Sequence, residues 1–251
     1  MMKNYLSKFG TVAGIITILV SLMGCAQTRA LNNLEKLILD QDEYEHCESK
    51  TICCIEAMDY ERNHEEIINI IFNSGNLDLI DQLVERFPKD YRNYIVSGDA
   101  YIKNAMMQQM MGLFMKSSAA ASFSKAKDYY LKALELNDKD IYVLGIISFM
   151  YGEKKEYDKA KELLNRGIEL APNNPLLYLA LGEMYDRKSE YTTAIDYYKK
   201  VLEFTEDEVA KDFEHMNQYF HKLVDYFPNS FEEAREEAKK VLKILEVKQK
   251  T

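Results

Sequence analysis

Residues 174–207 read NPLLYLALGEMYDRKSEYTTAIDYYKKVLEFTED, and this stretch decides how the rest of the chain is understood. Apolar or small residues fall at Tyr178, Leu181, Gly182 and Tyr185, and again at Tyr191, Ala194, Tyr198 and Leu202. They form two helix-length apolar stripes separated by a polar turn at 186–190, which is one helix–turn–helix unit. Thirty-four residues upstream the marks return as Tyr151, Tyr157, Ala160, Leu164 and Ile168, with Pro172 six residues ahead of Tyr178. A fixed period of this length predicts stacked helical hairpins, each too small to bury its own apolar face.

Working outward, an aromatic-x-x-Ala mark opens the second helix of each pair at Phe123/Ala126, Tyr157/Ala160, Tyr191/Ala194 and Phe231/Ala234. Leu134, Ile168, Leu202 and Leu242 follow eight residues beyond each alanine. A shortened hairpin precedes them at 65–87, broken at Asn73-Ser74-Gly75-Asn76, and Pro88 stands before Tyr94 as Pro172 stands before Tyr178. Small residues suit positions where helix axes approach closely, and the tyrosines fill the space between one hairpin and the next.

The set Tyr178, Leu181-Gly182, Tyr185, Ala194 and Tyr198, with Pro172 closing the unit before, resembles the tetratricopeptide repeat (TPR) family. That resemblance implies an all-α, TPR-type solenoid of helical hairpins, with an N-terminal capping helix pair at 31–62 and a longer C-terminal pair. The repeat domain is expected over 63–248, in units of about 63–90, 91–140, 141–174, 175–208 and 209–248. Ten glycines and four prolines in 251 residues, with 47% hydrophobic residues, agree with a helical chain that buries a sizeable core.

The N-terminus has a different layout. Lys3 and Lys8 precede an uncharged apolar run at 9–23, too short to span a bilayer and arranged as a secretory signal. Leu22-Met23-Gly24-Cys25 resembles the lipobox of bacterial lipoproteins. By that resemblance residues 1–24 are a signal peptide cut after Gly24, Cys25 is acylated, and 25–30 form a lipidated tether. Ala26 after the cysteine resembles the outer-membrane sorting pattern, so the expected location is the outer membrane facing the periplasm. Several acyl chains, at about 0.8 kcal/mol per buried CH₂, hold a protein on a membrane durably.

Charge narrows the partners. The chain carries 32 basic and 41 acidic residues, a net charge of −9. Such a balance argues against nucleic acid, which requires a basic face. Residues 35–66 hold eleven acids against Lys36, Lys50 and Arg62, the pattern of a solvated face over a capping pair. Cys47, Cys53 and Cys54 lie at the hinge of that pair. In an oxidising compartment a Cys47 bridge to Cys53 or Cys54 would staple it, whereas a metal site with His46 matches no standard ligand spacing.

No catalytic constellation is evident. His46, His64, His215 and His221 stand at no recognised catalytic or zinc spacing, and Ser122-Phe123-Ser124-Lys125 falls on repeat positions. A non-enzyme without cofactor or metal is expected.

Two surfaces are left as candidates for contact with other envelope proteins or peptides. By resemblance to the family, the groove positions map to Asp99, Lys103, Tyr142, Ile146, Phe149, Glu153, Leu179, Glu183, Asp186 and Arg187. This mixture lacks the Lys and Asn cluster that clamps a C-terminal carboxylate and suits an extended or helical peptide with basic residues. The other candidate is a segment about 16 residues longer than the repeat allows, between Tyr101 and Ala126. It holds Met106, Met107, Met110, Met111 and Met115 with Leu113 and Phe114, five of the chain's twelve methionines. These seven cover an arc of about 200°, beyond the ~100° needed to face one core. The surplus is either buried against the N-terminal hairpin or presented as an adaptable apolar surface.

The combined expectation is a membrane-anchored adaptor in cell-envelope assembly. The alternative is a ligand- or substrate-handling accessory, because the T-components of TRAP transporters also combine a lipobox with irregular repeats.

Overall fold

The structure is a computed structural model that describes residues 65, 67, 68, 71–73, 75–110, 116–210, 228 and 230–248. Gly24, Cys25, the hairpin at 31–62, Cys47, Cys53, Cys54, Met111, Phe114 and the segment 211–227 lie outside the described residues, as does the side chain of Met110. Every described element is helical, and the helices form successive hairpins. They are α1 (Leu77–Arg86), α2 (Tyr91–Met110), α3 (Lys116–Leu136), α4 (Ile141–Glu153), α5 (Tyr157–Leu170), α6 (Pro175–Arg187), α7 (Tyr191–Glu203) and α8 (Phe231–Lys248). The chain divides into two compact units, Met1–Ser122 and Phe123–Thr251, and the division falls within α3.

In the first unit, Gly75 takes φ 65° and turns the chain, and Asn76 then caps α1 by accepting from the amides of Asp78 and Leu79 at 3.1 and 3.3 Å. Ile67, Ile71, Phe72, Leu79, Ile80 and Leu83 pack with Val96 and Ala100 of α2 into one apolar cluster. The extra length of the sequence goes into both helices of the next pair. α2 has 20 residues and α3 has 21, against 13 and 14 in α4 and α5.

The second unit repeats one plan. A capping carboxylate or amide starts each first helix: Asp140 accepts from Val143 N at 3.0 Å, and Asn174, 34 residues later, accepts from Leu176 N at 3.0 Å. Pro175 at the first turn of α6 has a φ already suited to the helix. The first helices end in Schellman turns. Glu156 N donates to Tyr151 O and Lys155 N to Gly152 O, both at 2.9 Å; in the next hairpin Glu190 N donates to Tyr185 O at 2.9 Å and Ser189 N to Asp186 O at 2.8 Å. Lys155 and Ser189 consequently hold φ of 60° and 61°, the left-handed region, without being glycine.

Packing follows from these entry and exit angles. Each helix from α4 to α8 packs on the next, and α4 also packs on α6. α4 is apolar nearly all round and is buried on most of its faces, as a helix enclosed between neighbours must be. Gly182 lets α6 approach α7, since a Cβ there would lie 2.9 Å from the Tyr198 ring. Gly167 does the same between α5 and Leu177 of α6, at 3.0 Å. Tyr178 hydrogen-bonds to Pro172 O at 2.9 Å, as Tyr94 does to Pro88 O at 3.1 Å in the first unit, so the Pro-to-Tyr spacing of six is a tie across the inter-hairpin turn. Ser230 Oγ accepts from Glu233 N at 3.1 Å to start α8. On its outer face Glu236 pairs with Lys239 and Glu237 with Lys240, each three apart on one helix face.

Candidate protein-interaction surface

The first helices carry the groove positions, and within the second unit four of them converge. Arg187, at the end of α6, forms ion pairs with Glu153 at the end of α4 and with Glu183 one turn before it, the latter at 2.7 Å. Its guanidinium also stands 5.5 Å from the Phe149 ring centroid. Glu153 and Arg187 occupy the same register position in successive hairpins, so the repeat itself brings the charges together. Partial burial alone would lower the Arg187 pKa, but the Glu183 and Glu153 carboxylates more than offset it and hold it above its ordinary value.

Beneath this cluster lies a shallow, solvent-open recess lined by Ser148, Phe149, Gly152, Ala160, Leu164, Ala180, Glu183, Met184 and Arg187. It is too shallow for a small molecule and suits the tip of one side chain. Its cause is visible in the register. Tyr198 of α7 fills the space beside Gly182, while the equivalent residue of α5 is the smaller Leu164, opposite Ser148.

The other groove positions are distributed differently. Asp186 is engaged by Lys248 of α8 at 3.2 Å, and Lys248 also stands 5.2 Å over Tyr191. Leu179 is half-buried. Tyr142 and Ile146 are each 3% exposed, so they belong to the packing of α4, and Tyr142 meets Tyr130 edge-on at 6.4 Å. In the first unit Asp99 is 1% exposed, whereas Lys103 is exposed and stands 4.8 Å over Phe72. Met106 and Met107 are half-buried on α2. Ser122 is buried with its hydroxyl 3.1 Å from Asn104 Oδ1, in keeping with a repeat position.

One feature escaped the sequence reading. Lys127 stands 3.9 Å over the Tyr151 ring, and 34 residues on Lys161 stands 5.9 Å over Tyr185, with Lys159 and Lys188 approaching the same two rings. The second helix of one hairpin thus grips the first helix of the next through a repeated cation–π contact. The 34-residue spacing of the two lysines was the available signal. Close by, Glu156 is held below the usual carboxylate range, chiefly because Lys159 donates to it at 2.6 Å.

Among the described residues no group of three or more His, Cys, Asp or Glu is placed to hold a metal ion, and no helix is long and apolar enough to cross a membrane. A family model of YpiA-like tetratricopeptide repeats matches residues 157–205, which span α5, α6 and α7. Among solved structures, the chain is similar to a thermophilic TPR protein of Thermus thermophilus at 19% identity, over 77% of this chain and 96% of that one, with a TM-score of 0.47. A comparison with curated proteins finds no match. The repeat segment of α5 to α7 is therefore of tetratricopeptide type, an architecture that serves as a scaffold for protein partners.

Proposed function

We propose that the chain is an exported, lipid-anchored adaptor that recruits or organises other proteins of the bacterial cell envelope, held on the outer membrane and facing the periplasm. The observation that carries the adaptor part is the tetratricopeptide match over 157–205, joined to a mixed charged and apolar surface at Phe149, Glu153, Glu183 and Arg187. The anchoring part rests on the sequence, through the Lys3/Lys8 region, the apolar run and Leu22-Met23-Gly24-Cys25. A net charge of −9 favours partners with basic segments and disfavours nucleic acid.

The test is affinity capture of the tagged protein from gently cross-linked native membranes, with Cys25→Ser beside it. Envelope-assembly proteins in the eluate support the adaptor, and release of the Cys25→Ser protein from the membrane fraction supports the anchor. A periplasmic solute-binding protein as the dominant partner would replace the adaptor with the transport-accessory reading. A wild-type protein found only in the soluble fraction would remove the anchor.

A further inference from the structure

We infer that the recess under Arg187 receives an arginine followed by an apolar side chain from a partner polypeptide, and that Arg187 is an internal stand-in for that arginine, displaced when the partner docks. This rests on the interaction-scaffold reading and gives it a partner chemistry and a built-in competitor.

The recess is a specific consequence of this sequence. The α4/α5 hairpin carries Leu164 and Ser148 where the α6/α7 hairpin carries Tyr198 and Gly182, and no tyrosine ring fills the space. Ala160, Ala180 and Gly152 leave the walls low, and Phe149 and Met184 make them apolar. The mouth is bounded by Glu153 and Glu183, which already hold one guanidinium stacked on Phe149. That arrangement is a guanidinium site, with two carboxylates to accept from its fork and an aromatic face to lie on.

Arg187 and both carboxylates are partly exposed, and exposed ion pairs add little to stability. Exchanging one guanidinium for another is therefore close to neutral, and the balance is set by the apolar side chain that follows it into the recess. The mouth carries two carboxylates, Glu153 and Glu183, against one cation, Arg187, so an acidic partner meets net repulsion.

The test uses the full-length protein in detergent micelles and a fluorescein-labelled peptide Gly-Ser-Arg-Leu-Leu-Ser-Gly, with Glu replacing Arg in the control peptide, read by anisotropy. Arg187→Ala should bind the arginine peptide about tenfold more tightly than wild type, and Glu153→Gln/Glu183→Gln should lose it. The pair Ser148→Gly/Leu164→Tyr, which copies the second hairpin into the first, should fill the recess and abolish binding with the Arg187 ion pairs intact and the fold preserved by circular dichroism. Equal or weaker binding by Arg187→Ala, binding unaffected by the filled recess, or preference for the glutamate peptide would each overturn the assignment. If wild type and Arg187→Ala capture the same envelope proteins from membranes while neither takes the peptide, the displaced-arginine idea fails and the scaffold stands. Peptide binding without any captured partner would leave the site and remove the scaffold.

Discussion

The α4/α5 and α6/α7 hairpins share a backbone plan and differ in how they use it. Both start from an Asx cap, turn through a left-handed residue and meet through a small residue facing the second helix. The pairs at the crossing differ together: Gly182 faces Tyr198, whereas Ser148 is matched with Leu164. On the first helices Phe149 and Glu153 become Glu183 and Arg187, so one hairpin supplies partners for the other. The repeat thus fixes where residues stand, while covariation between neighbours decides which space is filled and which is left open.

The largest test of the shared plan is at the common core position. Ile147 is 0% exposed and Leu181 is 1% exposed. Each truncation to alanine should cost about 3 kcal/mol by urea denaturation. A much smaller loss at one site would show that the two hairpins do not share the core equally.

Next comes the crossing. Gly182→Ser places a side chain 2.9 Å from a buried ring and should cost about 1–3 kcal/mol. Gly145 has nothing within 4 Å of its Cβ, and Gly145→Ala should stabilise by about 0.5–1 kcal/mol. In Gly182→Ser/Tyr198→Leu, the crossing of the first hairpin is installed in the second. The double mutant should cost less than the sum of the singles by about 1 kcal/mol. Strict additivity would mean that Gly182 and Tyr198 are not a matched pair.

Much of this was legible in the sequence, and the limits are physical. The period, the Tyr178 and Tyr94 ties to Pro172 and Pro88, and the hairpin break at Gly75 are local patterns, and local patterns survive translation into structure. The groove positions follow from the family resemblance, which carries register and nothing more. Register cannot distinguish Arg187, whose side chain reaches outward to carboxylates, from Tyr142 and Ile146, which neighbouring helices cover. Nor does it weigh side-chain volume across a crossing, so the recess beside Leu164 went unseen. The Lys127 and Lys161 contacts needed both the period and the three-dimensional neighbour.

A smaller difference separates the two caps. Asn174 cannot ionise, while Asp140 can, and burial pushes the Asp140 carboxyl above its ordinary value of 3.8 although the Val143 and Tyr142 amides pull it down. A raised folded-state value means the folded protein holds the proton longer than the unfolded chain. This group therefore favours folding below the unfolded value, and that contribution is lost as pH rises through the raised one. Asp140→Asn should remove this component, flattening stability between pH 3.8 and the raised value, and should leave the protein at least as stable as wild type at neutral pH. Urea midpoints of both proteins across that range decide it. A mutant less stable at pH 7 would mean that the charge at the helix start outweighs its burial.

The smallest effect concerns the left-handed turn residues. Lys155 and Ser189 hold φ near 60° with side chains attached, where Gly75 meets the same demand without one. The left-handed conformation costs an ordinary residue roughly 1–2 kcal/mol, and glycine returns part of the gain through its greater unfolded-state freedom. Lys155→Gly and Ser189→Gly should each stabilise by about 0.5 kcal/mol, and Gly75→Ala should destabilise by about 1 kcal/mol. Equal gains at 155 and 189 would mean that the Schellman turn is the same object in both hairpins. A gain at Ser189 alone would mean that the Lys155 side chain contributes to its own hairpin beyond setting the turn, which the neighbouring Tyr151 and Glu156 cluster makes the place to look.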